Sequence, residues 1–305
     1  MPPRTDPEPN AEILLAGGDA DPNLATLLAR LQDRRLSCQS LLVGARSHPR
    51  VSWDLSSDEL WVDGQPCRPR AVFVRHDVFT SLAERRPEPG YRAMAWFTAL
   101  GGWLLAHPEV RLLNRESFQR VTNKLQVLDL ARRLGLATPR TLVSNDRELL
   151  LERVKEAPLV VKPVNGGDFT RPLEDVLPAA SHRDGALASP SIIQQRLVPP
   201  EVRVYGIAGG FFAFHLQADA LDYRSTADCK VLPVGLDTLP DSLLERLGAL
   251  MERLGLNFGA ADFKADADSG ELLFLEINNG PMFAAFDAAG EGCLTGAMAD
   301  FLAGG

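Results

Sequence analysis

The chain has 305 residues, 45% hydrophobic and 24% charged, which is enough for two or three domains with their own cores. A net charge of -8 argues against non-specific binding to nucleic acid or to anionic membranes. The four cysteines (Cys38, Cys67, Cys229 and Cys293) lack CxxC spacing, which argues against a zinc site or disulfide framework and reads as reduced thiols of a cytoplasmic protein. No run is long and apolar enough to span a bilayer.

The first ten residues, MPPRTDPEPN, are polar and Pro-rich and read as a loose arm, not a signal peptide. Ile13–Ala16 is a short apolar strand ending in Gly17-Gly18-Asp19. A helix follows over 22–35, with Leu24, Leu27, Leu28 and Leu31 on one stripe. Ser40–Val43 is the next strand, and 53–62 with the Asp63-Gly64 turn suggests a hairpin. Ala71–Arg75 is a buried strand closed by Arg75-His76-Asp77, 91–107 is a helix, and Val110–Leu113 is a strand ending at Asn114. Strands alternating with helices predict a parallel α/β layer. The loop after Arg75 then lies where open α/β sheets place ligands, although a solvated loop fits equally well.

From Thr122 the pattern changes. TNKLQVLDLARRLGL is an amphipathic helix with a stripe of Leu125, Leu128, Ala131 and Leu134, stopped by Gly135. Thr141–Ser144 is a strand, and Asn145 or Asp146 caps a helix reaching Val154. Leu159–Pro163 is a strand that carries Lys162 and runs into Asn165–Thr170 (NGGDFT). A lysine on an apolar strand before glycines suggests a phosphate cradle, with a hairpin turn as the alternative. Residues 172–190 read as a mobile loop.

Ser191–Arg196 is a strand broken by Val198-Pro199-Pro200. Glu201 and Arg203 share a face of the next strand, which Gly209-Gly210 turns into Phe211–Leu216. Arg203 and Arg224 could address an anion or pair with surface acids. A strong helix spans 240–254, with Leu243, Leu247 and Leu250 inward and Gly255 at its end. The last hairpin joins 257–266, carrying Asp262, to Leu272–Gly280, carrying Glu276 and Asn278. Two carboxylates and a carboxamide converging at strand ends make a hard-oxygen site suited to Mg2+, unless they merely face water. The chain closes with a loop and helix over 287–302.

In their order these pieces resemble an ATP-grasp ligase. The resemblance rests on Lys124, Lys162, Gln195-Arg196-Leu197-Val198, Glu201, Arg203, Asp262 and Glu276-Ile277-Asn278, and it covers nearly the whole chain. The strand ending in Arg75, the NKLQ…LGL…P-x-T-L-V-S-N-D block from Asn123 to Asp146, Glu201-x-Arg203 and Asp222-Tyr223-Arg224 are most similar to the RimK-like branch. Within it they resemble the graspetide or microviridin-type ligases, which form side-chain esters or amides in ribosomal peptides.

The resemblance implies an α/β and α+β ATP-grasp fold. The N-terminal parallel α/β domain would span 1–114, the central subdomain 115–198 and the C-terminal domain 199–305. ATP and Mg2+ are the implied cofactors. Lys124 and Lys162 would hold phosphates, and the hinge at Gln195, Arg196, Leu197 and Val198 would read adenine. Glu201 would take the ribose, and Asp262, Glu276 and Asn278 would bind the metal. Arg203, Arg224 and Lys162 would serve the reaction.

The implied activity is an ADP-forming ligase working through an acyl phosphate on a peptide or small-molecule carboxylate, a ribosomal precursor peptide first. The alternatives are a RimK-like ligase joining an amino acid to a small molecule or protein terminus, and a non-catalytic nucleotide sensor. No nucleic acid or membrane partner is expected, and a homodimer is. NGPMFAAFD (279–287) departs from the peptide-crosslinking pattern beside the implied acyl-phosphate site, so the substrate should be decided there.

Overall fold

The computed structural model describes residues 12–44, 48–79, 88–115, 123–164, 169–226 and 228–305. The loop expected to cradle phosphate, NGGDFT, lies outside the described residues except for Phe169 and Thr170.

The first layer runs β1 (Ile13–Gly18), α1 (Pro22–Asp33), β2 (Cys38–Val43), a small meander of β3 (Val51–Asp54), β4 (Glu59–Val62) and β5 (Gln65–Pro66), then β6 (Ala71–Val74), α2 (Glu88–Ala106) and β7 (Arg111–Leu112). Strands order as β2-β1-β6-β7, all parallel. Both faces of β1 are covered, as its unbroken apolar run requires. Ile13 and Leu15 face α1, while Leu14 and Ala16 face Leu100, Trp103 and Leu104 of α2. Asp21 caps α1 by accepting from the Asn23 amide.

The central part holds α3 (Lys124–Arg133), β8 (Thr141–Asp146), α4 (Arg147–Glu156), β9 (Leu159–Pro163), β10 (Arg171–Pro172), α5 (Leu173–Val176), β11 (His182–Arg183) and β12 (Ala186–Gln195). β12 pairs antiparallel with β8, β9 and β11. The stretch read as a mobile loop is instead β10, α5, a 3-10 turn and β11. Leu173 and Leu177 are fully buried there against Leu150 and Ile193. Two anchoring leucines among prolines and alanines are too few to show a period in sequence.

The stripe expected on α3 is rotated. Val127 and Ala131 are buried and Leu125 is not, because the helix starts at Lys124 under the Asn123 cap and turns that lysine toward Glu276.

The last part is β13 (Val198–Ile207), β14 (Gly210–Gln217), β15 (Lys230–Val234), α6 (Asp241–Leu254), β16 (Phe258–Ala265), β17 (Leu272–Asn278), α7 (Ala284–Ala289) and α8 (Cys293–Ala303). The sheet is antiparallel, in the order β15-β14-β13-β16-β17. β15 was not anticipated, and β13 starts at Val198, before the prolines read as a break. Strand alternation sends Val202, Val204, Ala261, Phe263 and Phe274 to one face, against Leu243, Leu247 and Leu250 of α6. Gly255, at φ 67, ends α6 in the left-handed conformation glycine tolerates. On the other face Tyr205, Phe214 and Ala260 share one core with α1, α8, Ile13 and Phe73. The first layer is therefore packed directly against the last sheet.

Candidate functional site

The charged part of that second face is set by register. Arg203 on β13 lies opposite Asp262 on β16, which lies opposite Glu276 on β17. One step along, Glu201 lies opposite Lys264, and one step the other way Ala260 lies opposite Asn278. Directly opposed residues share a face, so the sheet alone gathers Glu201, Arg203, Lys264, Asp262, Glu276 and Asn278. The register shifts between Asp262 and Phe263, where Leu275 is the extra residue of a bulge. The bulge lets Leu275 and Glu276, neighbours in sequence, both line the cleft.

The central sheet forms the opposite wall. Val160 and Lys162 alternate onto its cleft side, and Gln194 pairs with Val160. Between the walls is a cleft of about 780 Å3, within the usual range for small-molecule sites. Its apolar part is Val160, Leu197, Leu221 and Leu275, and its charged part is Lys124, Lys162, Glu201, Asp222, Arg224, Asp262, Lys264 and Glu276.

Those charges are arranged as four pairs and one remainder. Lys264 Nζ donates to Glu201 at 2.9 Å, Lys124 Nζ to Glu276 at 2.7 Å, and Arg224 to Asp222 at 2.7 Å. Arg203 donates from Nε and Nη2 to both oxygens of Asp262, each at 2.7 Å. Lys162 makes no ion pair among the described residues. Burial holds its ammonium below the ordinary lysine range, against the pull of Glu276 and with the repulsion of Lys124. Burial also raises the Glu201 carboxyl, partly offset by Lys264. At Glu276 burial pushes up, but Lys124 and Lys162 outweigh it and the carboxyl ends below its ordinary value.

Asp262, Glu276 and Asn278 form a hard-oxygen set on one sheet face. Mg2+ takes one or two carboxylates and completes its shell with phosphate and water, so these residues fit it. In the structure their carboxylates hold Arg203 and Lys124, and among the described residues there is no cluster of three His, Cys, Asp or Glu side chains.

Beyond Asn278 the chain is fixed largely by side chains of the first layer. Asn114 donates to the Asn279 carbonyl. Arg75 Nη1 donates to the Pro281 carbonyl at 2.8 Å and the Gly280 carbonyl at 3.4 Å, and Tyr205 donates to Met282. Asn23 Oδ1 accepts from the amides of Phe283 and Ala284 at 2.6 and 2.8 Å. Asp21 orients both partners, accepting from Asn23 Nδ2 at 2.7 Å and Arg75 Nε at 2.7 Å. Arg75 thus holds the substrate-side loop from behind and is neither a solvated loop residue nor a cleft residue.

Of the sequence candidates, the structure brings Lys124, Lys162, Gln195, Leu197, Glu201, Arg224, Asp262 and Glu276 into the cleft lining. Arg203 lies behind Asp262, stacked 5.4 Å from the Tyr223 ring and 5.2 Å from that of Phe286. Arg196, Val198 and Asn278 do not line it. The Arg196 amide donates to the Pro158 carbonyl at 3.0 Å. Gln195 accepts from Arg140 and donates to Asp266, so its side chain is committed within the protein. Gln194, Asp222, Lys264 and Leu275 line the site without having been singled out. Lys264, a lysine two residues from Asp262 on an apolar strand, carried the same signal as Lys162.

No family model and no curated protein matches the chain. Solved structures do. The ATP-grasp ligase PsnB, complexed with a phosphomimetic variant of its minimal precursor, Mg and ADP, is 23% identical, with a TM-score of 0.75 over 97% of this chain and 99% of that one. The macrocyclase MdnC of Microcystis aeruginosa MRC, bound to precursor peptide MdnA, is 19% identical, with a TM-score of 0.72 over 96% and 99%. The VanG D-Ala:D-Ser ligase of Enterococcus faecalis is 13% identical, with a TM-score of 0.63 over 97% and 99%. From end to end, the chain has the fold of the ATP-grasp ligase PsnB.

Proposed function

We propose that this protein is an ATP- and Mg2+-dependent ligase that joins a carboxylate to an amine or hydroxyl, with a peptide as substrate. The observation that carries this is the charge pattern of the cleft. Four acids each hold one cation, and Lys162 is left over, half-buried, facing them from the other wall. An uncompensated ammonium in such a place calls for an anion.

The cleft offers ends of different chemistry. Leu197, Leu221, Val160 and Leu275 suit a flat base, Glu201 suits ribose hydroxyls, and Lys162 with Lys124 suits phosphates. In the first step a substrate carboxylate oxygen bonds to the γ-phosphorus and the bond to the β-phosphate breaks, releasing ADP. In the second an amine or hydroxyl bonds to the acyl carbon and phosphate leaves, taking up the displaced proton. Mg2+ held by Asp262, Glu276 and Asn278 would neutralise charge on the phosphate oxygens. Lys162 and Arg203 present fixed positive charge where oxygens gain it, and Arg224 places another at the cleft wall, so the protein acts by positioning and electrostatics.

The peptide reading is supported by PsnB and MdnC, whose structures hold precursor peptides, while VanG shows that the same fold serves a smaller substrate. Glu276→Gln should abolish ADP release from Mg·ATP while leaving thermal unfolding cooperative, and unchanged turnover would sink the assignment. Mass spectrometry of an acidic, Thr/Ser-containing peptide encoded beside the gene should show loss of one water per bond formed. An unchanged mass with continued ADP release in the presence of free amino acids would favour the small-molecule alternative.

A further inference from the structure

Gln194 sits at the base end of the cleft, is 2% exposed, and its Oε1 is buried without a hydrogen-bond partner. The orientation of its amide follows from its neighbour. Thr141 has one hydroxyl proton and donates it to the Pro139 carbonyl at 2.9 Å. Thr141 Oγ1 must therefore accept, and it does so from Gln194 Nε2 at 3.0 Å. Gln194 Oε1 is thereby fixed on the other side as an acceptor. Its surroundings are Val160, opposite it in register, and the walls Leu197 and Leu275. Gln195, the adjacent residue, is held by Arg140 and Asp266 and has no free acceptor to offer. A buried carbonyl oxygen with no donor costs roughly 1–3 kcal/mol until a ligand supplies one.

We propose that Gln194 is the residue that selects the nucleobase, its Oε1 accepting an N–H from the exocyclic amine of a 6-aminopurine. This rests on the nucleotide reading of the cleft and adds which base is taken and through which atom. A 6-oxopurine would set its own acceptor against Oε1, and a purine without the amine would leave Oε1 as it stands. The discrimination is therefore written into a side chain of β12, before the hinge backbone is reached.

The test is equilibrium binding to the full chain, with three probes: ATP, GTP and purine riboside triphosphate, which lacks the amine. Wild type should bind ATP about tenfold to a hundredfold more tightly than either, the range one unsatisfied buried acceptor gives. Gln194→Met, similar in volume and without the acceptor, should bring ATP and purine riboside triphosphate to within about twofold of each other. Gln194→Glu keeps an acceptor and should retain the preference for the amine. Equal binding of ATP and purine riboside triphosphate by wild type overturns the proposal even if neither variant folds, and so does an unchanged ratio in a folded Gln194→Met. Failure of wild type to bind any of the three nucleotides would instead remove the ligase reading, and this inference with it.

Discussion

Two buried arginine–aspartate pairs divide the labour of this molecule. In the first layer Arg75 meets Asp21 at 2.7 Å with the side chains 6% and 0% exposed. In the last sheet Arg203 meets Asp262 at 2.7 Å with 7% and 8%. By geometry and burial they are near twins, and their surroundings differ. The rest of the Arg75 guanidinium is taken up by the Gly280 and Pro281 carbonyls, and Asp21 also orients Asn23 and caps α1. Arg203 uses two nitrogens on Asp262 and stacks on Tyr223 and Phe286, and Asp262 itself reaches the cleft. A buried ion pair becomes structural when the backbone completes it, and available for chemistry when a cleft completes it.

Breaking each pair should expose that difference. Asp21→Ala is expected to have the largest effect on stability, about 3–5 kcal/mol in denaturant unfolding, because it strands a buried guanidinium and releases Asn23. Replacing both partners of the second pair, Arg203→Met with Asp262→Leu, should leave stability within about 1 kcal/mol of wild type while ADP release is lost. The same exchange at Arg75 and Asp21 should not recover stability, since the Gly280 and Pro281 carbonyls would stay unpaired. Equal recovery in both double variants would erase the distinction.

A smaller effect is expected where a pair is half open to solvent. The Asp222 carboxyl is held at about 2, below its ordinary 3.8; burial opposes this, but the Arg224 guanidinium and the Thr170 amide outweigh it. The folded value lies below the unfolded one, so the stabilisation is complete above about 3.8 and is lost as pH falls through about 2. After allowance for screening at exposed Arg224 it amounts to at most about 1 kcal/mol. The gap in thermal midpoint between wild type and Asp222→Asn should therefore close on acidification to about pH 2. A gap that stayed constant would show that the carboxylate's charge plays no part.

The sequence made part of this legible. Alternation and turn residues located the last hairpin, and strand period placed Asp262, Glu276 and Asn278 on one face. The lysine on an apolar strand was visible as an anomaly, and its meaning came from the unpaired state that the fold reveals. The Arg75–Asp21–Asn23 assembly was not legible, because its members are more than 200 residues from the loop they hold. Gln194 was hidden beside Gln195: two identical residues differ only in which face of β12 each occupies and what each meets there. Residues 172–190 failed because their order comes from tertiary burial of Leu173 and Leu177, not from local preference.

The loop after Asn278 has a consequence for anyone who would retarget the enzyme. Grafting residues 279–287 from a relative is the obvious way to exchange substrates, but here the graft is not a surface cassette. Its carbonyls and amides are read by Asn114, Arg75, Asn23 and Tyr205, three of them from the opposite end of the chain. A donor loop of different backbone path would strand those groups, each at about 1–3 kcal/mol. The workable unit for a chimera is therefore discontinuous: the loop together with the β1–α1 and β6 corners that hold it.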